Sequence, residues 1–112
     1  MNAFDISQLI AQREQSDKLY LEFLRVPSMS MGLYVLAAGS EDQQQPHTED
    51  EAYYVIEGRA MMRVGNENCA VRAGSIIFVA ANVEHCFHDI TEDLKVLVFF
   101  APAEYSQANP PT

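Results

Sequence analysis

The stretch Pro46-His47-Thr48-Glu49-Asp50-Glu51-Ala52-Tyr53-Tyr54-Val55-Ile56-Glu57-Gly58 decides how this chain is read. From Glu51 onward it has the aromatic and β-branched composition of a strand. If it is extended from Glu49, then Glu49, Glu51, Tyr53 and Val55 share one face, and His47 joins them at the strand's mouth. A carboxylate such as Glu51 beside the run Tyr53 to Ile56 is costly to bury unless it is paired or bound to a cation. In a straight strand the Cα atoms of His47 and Glu51 would stand roughly 13 Å apart, so sharing one ion demands a bend between Pro46 and Asp50.

Working outward, the chain has 3 histidines, and the second one of interest lies in a later extended segment, Glu84 to Ile90. There His85, Phe87 and Asp89 face one way, while Cys86 and His88 face the other. His47, Glu51 and His85 make a two-histidine, one-carboxylate set, which suits Fe(II), Mn, Ni, Co or Zn and leaves positions open for water, O₂ or a chelating substrate.

The remaining segments follow from turn residues and period. Asp5, with Gln8 three positions on, reads as the cap of a short helix carrying Leu9 and Ile10 on one face. Extended runs follow from Lys18 to a stop at Pro27 and from Ser30 to Ala38, then a polar connection from Gly39 to Pro46. Gly58 reads as a tight reversal that pairs Glu51 to Ile56 with Ala60 to Val64 as a hairpin. Cys69 to Arg72, Ser75 to Val79, Glu84 to Ile90 and Leu94 to Phe100 complete about eight or nine short strands, a pattern that predicts an all-β barrel or jelly roll. One domain over 1–112 is expected, with its core at about 18–101 and a Pro- and Asn-rich tail, 103–112, that frays.

Sixteen Asp and Glu against 7 Lys and Arg give a formal charge of -9. That balance opposes nucleic acid and anionic membrane surfaces as partners. Met1 to Ile10 has no signal-peptide pattern and no apolar run is long enough to cross a bilayer, so a cytoplasmic protein is expected. Cys69 and Cys86 read as two free, buried thiols in a reducing compartment, with a Cys69–Cys86 disulfide as the alternative.

Two stretches, Gly39 to Gly58 and Gly74 to Asp89, resemble the two motifs of the cupin superfamily. In the first, His47 stands at the second motif histidine, Glu51 at the glutamate and Gly58 at the closing glycine. In the second, Gly74 and His85 keep the motif, whereas Ala80, Asn82 and Asp89 replace its proline, glycine and asparagine. Fifteen residues separate Gly58 from Gly74, the spacing of compact members. The resemblance implies a double-stranded β-helix (jelly-roll) barrel with a short N-terminal helix, and one divalent metal ion (Fe, Mn, Ni or Zn) on His47, Glu51 and His85.

Gln45 stands where the family's first motif histidine falls. Three readings are therefore open: a site of three ligands, a site with Gln45 as a fourth weak one, or relaxed metal binding. The resemblance implies a small metal-dependent enzyme, dioxygenase-like or an isomerase, acting on a small molecule. A non-catalytic small-molecule binder is the alternative. Tyr53 is a candidate for aligning the ligand and Glu49 for a general base. Homodimerisation through the apolar strands Leu19 to Leu24 and Ser30 to Leu36 is expected as well.

Overall fold

The computed structural model describes residues 1–108; of the tail expected to fray, 109–112 lie outside the described residues. Helix α1 (Ile6–Glu14) begins where Asp5, itself extended, accepts the backbone N–H groups of Ser7 and Gln8 on its carboxylate, which satisfies two donors that a helix start leaves free. Among the described residues six strands follow: β1 (Tyr20–Val26), β2 (Met29–Leu36), β3 (Asp50–Val64), β4 (Glu67–Arg72), β5 (Ile76–Val79) and β6 (His85–Ala101). Neighbouring strands are antiparallel in the order β1-β2-β6-β3-β4, and β5 also pairs with β3.

This arrangement corrects the expected barrel. Among the described residues β1, β4 and β5 each pair with a single neighbour and none of them with one another, so the sheet is open and not closed into a barrel. The reason lies in the two long strands. Glu51 to Ile56 and Ala60 to Val64, expected as two arms of a hairpin, are one continuous strand, β3. The two later segments ending at Ile90 and Phe100 are likewise one strand, β6. β3 and β6 stay paired with each other along their whole length, so the sheet bends at their bulges without bringing its edge strands together.

Gly58 is therefore not a reversal. The β3/β6 register shifts between Val55 and Glu57, Glu57 and Arg59, and Arg59 and Met61, and such bulges bend a strand without ending it. Gly58 sits among them at φ 104, and a Cβ there would lie 2.3 Å from the backbone oxygen of Asp93. Only glycine lets the two backbones come that close.

The bent sheet wraps its inner face around one cluster that includes Tyr53, Val55, Met62, Phe87, Leu94 and Phe100. The alternation that buries Glu51, Tyr53 and Val55 on β3 is the one read from the sequence. On β6 it holds for His85 and Phe87 but slips at Asp89, which is exposed at φ 47, and Ile90 is buried instead. Helix α1 lies against β1 and β2. Leu9 and Leu33 are buried there outside the inner cluster, so part of the apolar surface on β1 and β2 is covered by the chain itself. The large apolar side chains left most open on the sheet are Ile76 and Phe78 of β5, at 74% and 63% exposure.

In the described part of the tail, Ala103 is buried and residues 104–107 form turns. The backbone N–H groups of Tyr105 and Gln107 donate to the carboxylate of Glu49 at 2.5 and 2.9 Å.

Candidate metal centre

The segment before β3 is irregular, and β3 begins only at Asp50. That supplies the bend the sequence demanded. His47 Nδ1 comes to 3.5 Å from Glu51 Oε1, and His85 Nε2, from the start of β6, lies 3.1 Å from the same oxygen. The ligating atoms of His47, Glu51 and His85 all fall within 4.8 Å of one another, and all three residues are buried.

Whether these residues fit a cation is decided by what their polar atoms touch. Both oxygens of Glu51 and Nδ1 of His47 are buried without a hydrogen-bond partner among the described residues. Leaving such groups unpaired is expensive, most of all for a carboxylate. The ring of His85 is oriented by its own turn, with Nδ1 2.9 Å from the carbonyl of Val83. In the neutral ring that contact takes the N–H and leaves the Nε2 lone pair facing the triad. Unpaired carboxylate oxygens and imidazole nitrogens converging on one point are a divalent-metal site.

In the metal-free protein the same convergence is met by protons. Burial pulls the His47 ring down, but the carboxylates of Glu104 and Glu51 overcome it and hold the ring at about 9. Burial likewise opposes charge on His85, and Glu51 with the Val83 carbonyl outweighs it. Glu51 is pushed up by burial and brought below its usual value by His47, His85 and Tyr53.

The other residues singled out from the sequence have different places. Gln45 is exposed and lines the cavity beside the triad, and the neighbouring Gln44 brings its Oε1 to 3.3 Å from His85 Nε2. Tyr53 is buried and donates its hydroxyl to the same Oε1 at 3.0 Å. It therefore holds Gln44 and is not among the residues that line the cavity. Glu49 is buried and engaged by Thr48 and by the backbone of the tail. Burial pushes its carboxyl up, and these donors bring it below its usual value.

A cavity of about 250 Å³ lies beside the triad, lined by His47 and Glu51 together with Tyr20, Tyr34, Glu104 and Tyr105. The hydroxyl of Tyr34 donates to Asp42 at 2.6 Å, while that of Tyr20 is buried without a partner among the described residues. Tyr20 fits because Gly32 has no side chain: a Cβ there would stand 2.1 Å from the ring. Sequence reading missed Tyr20, Tyr34, Gln44 and Glu104. Tyr20 lay on an alternating strand, but nothing local marks which face of β1 is the inner one. Glu104 lay in a tail that composition marked as loose.

Fold and site together define a cupin. The cupin-domain family model matches residues 32–100, well over half of the chain, and the chain belongs to that family. It is 51% identical over 104 residues to the uncharacterized protein SCO3923 of Streptomyces coelicolor, covering 93% of this chain and 99% of that one. Among solved structures, TT1209 from Thermus thermophilus superposes with a TM-score of 0.72 at 24% identity, over 92% of this chain and 99% of that one. An FeII HppE in complex with substrate superposes with a TM-score of 0.64 at 21% identity, over 73% of this chain and 52% of that one. At these identities the two structures attest the fold alone.

Proposed function

We propose that this protein is a metal-dependent enzyme that acts, dioxygenase-like, on a small molecule held in the cavity beside His47, Glu51 and His85. The observation that carries the reading is the buried carboxylate of Glu51, whose oxygens have no hydrogen-bond partner among the described residues, at the wall of a cavity sized for a small ligand. A divalent ion on these residues would supply Lewis acidity and, as iron, the redox capacity that O₂ chemistry requires. The chain's own groups bind and orient. Tyr20 offers an uncommitted hydroxyl to an acceptor on the ligand, and Gln44, steadied by Tyr53, offers an amide beside His85. Phe100 and Tyr105, whose rings flank His47, supply apolar walls that keep water from the site.

An isomerase or lyase needs a general base, and Glu49 is committed to the N–H groups of Tyr105 and Gln107. With the cavity's other carboxylate outside the triad, Glu104, engaged by His47 at 3.1 Å, this favours oxygen chemistry over proton transfer. It is also the observation that favours the second reading, a metal-dependent binder without catalysis. The experiment is direct: purify the protein without chelator or metal-binding tag, and measure metal by mass spectrometry. About one ion per chain, lost in His47→Ala and His85→Ala, supports the site; metal-free wild-type protein in metal-replete medium refutes it. Oxygen uptake on a panel of small molecules with two adjacent oxygen donors then separates enzyme from binder.

Self-association is part of the proposal, on a surface different from the one the sequence suggested. Ile76 and Phe78 are open, and Ile76 continues across the sheet through its register partner Tyr54. Light scattering is expected to report twice the monomer mass of 12.6 kDa, returning to the monomer in Phe78→Lys. A reducing, cytoplasmic setting is proposed as well; Cys69 is exposed and Cys86 half-buried, where the sequence suggested two buried thiols.

A further inference from the structure

The turn after β6 is held by anchors from several strands. The N–H of Glu104 donates to the fully buried Ser30 Oγ at 2.9 Å, and its carbonyl accepts from the guanidinium of Arg25 at 2.7 Å. The N–H of Ala103 reaches the carbonyl of Pro27 at 3.4 Å. Glu49, buried at the mouth of β3, accepts from the next two free N–H groups, those of Tyr105 and Gln107. Tyr105 itself is held at φ 58, a conformation that an aromatic residue adopts only when its surroundings impose it. Ties from β1, the β1–β2 turn, β2 and the start of β3 thus press one short segment into a single shape.

What that shape delivers is a carboxylate and a ring at His47. Glu104 Oε2 lies 3.1 Å from His47 Nε2, and the Tyr105 ring centre is 5.3 Å from that of His47. On the other edge of the same imidazole, Nδ1 faces Glu51 and has no hydrogen-bond partner among the described residues. A neutral imidazole carries one N–H, and a carboxylate beside one nitrogen draws it there, leaving the lone pair on the other.

We infer that the segment 102–108 is a strap, latched by Glu49, whose Glu104 is a positioning residue for the metal centre: it holds His47 with the proton on Nε2 and the Nδ1 lone pair directed at Glu51 and His85. The inference rests on the metal reading above. It adds a part of the site that lies outside the span matched by the family model, residues 32–100. It also gives Glu49 a role, the latch, in place of the base suggested by its sequence position.

The test compares wild type with Glu104→Gln, Glu104→Ala and Glu49→Ala, using Co(II) and Zn(II) alone as probes. Affinity is expected to fall 10- to 100-fold in Glu104→Ala and in Glu49→Ala, the usual cost of removing a partner of a metal-bound histidine. Glu104→Gln, which keeps an acceptor oxygen, should fall less. The Co(II) absorption bands should keep their positions at saturation, because the ligands are unchanged. Affinity within twofold of wild type in Glu104→Ala would overturn the strap's role, and shifted Co(II) bands would overturn positioning in favour of direct ligation. A separate readout needs no metal. In the chelator-treated protein, at a pH where the His47 ring is neutral, long-range ¹⁵N correlation should place its proton on Nε2 in wild type and on a mixture in Glu104→Ala. Wild type that binds neither metal yet shows this tautomer switch refutes the metal reading while the strap stands; a tautomer unchanged by the substitution refutes the strap.

Discussion

At the scale of single residues the site is governed by Glu51, a carboxylate whose burial is tolerable because two imidazoles face it. In the metal-free protein His47 should titrate near 9, read by NMR of its ring. Its folded value is raised above the ordinary 6.5, so its contribution to stability is fully present below about pH 6.5 and is lost as pH rises through about 9. Metal binding runs the other way: the ion must displace that proton, so apparent affinity should increase with pH up to about 9, measured by competition with a chelator. Gly32→Ala should destabilise the protein by about 1–3 kcal/mol in urea unfolding, since the added methyl meets the Tyr20 ring. His47, Glu51 and His85 were visible in the sequence through motif spacing and the cost of a buried acid. Gln44 was not, because the segment from Ser40 to His47 has no period by which the glutamine that reaches His85 could be told from its neighbours.

Elements follow from local chemistry where that chemistry is sufficient. Helix α1 rests on the Asp5 cap, whose carboxyl is held below its usual 3.8 by Ser7 and Gln8. A lowered value means stability present above about pH 3.8 and lost as pH falls below it, so α1 should fray in acid and in Asp5→Ala, seen in the Cα chemical shifts of Ile6 to Glu14. Gly58→Ala should cost roughly 2 kcal/mol or more, because it adds both a disfavoured φ and a backbone clash with Asp93. A cost near zero would mean that β3 and β6 do not approach as described. The period of each strand was legible in advance, but the boundaries at Gly58 and around Asp93 were not. A glycine at positive φ serves a turn and a bulge equally well, and which one forms depends on whether the partner strand continues alongside.

For the whole molecule, the triad joins the start of β3 to the start of β6, so binding an ion there ties the two long strands together. Free metal at 100 times its dissociation constant should add about 2.7 kcal/mol of stability, a rise of roughly 10 °C in Tm for a domain this size, reversed by chelator and absent in His85→Ala. The all-β class, the family and the chemistry of the ligands could be read from the chain, because period-two alternation, turn residues and motif spacing are local properties. The open sheet, the approach of Gln44 to His85 and the docking of the tail on Glu49 belong to the folded molecule alone. Each depends on which segments distant in the chain come to lie side by side, and such pairings are chosen by the summed burial of the whole core and not by any window of sequence.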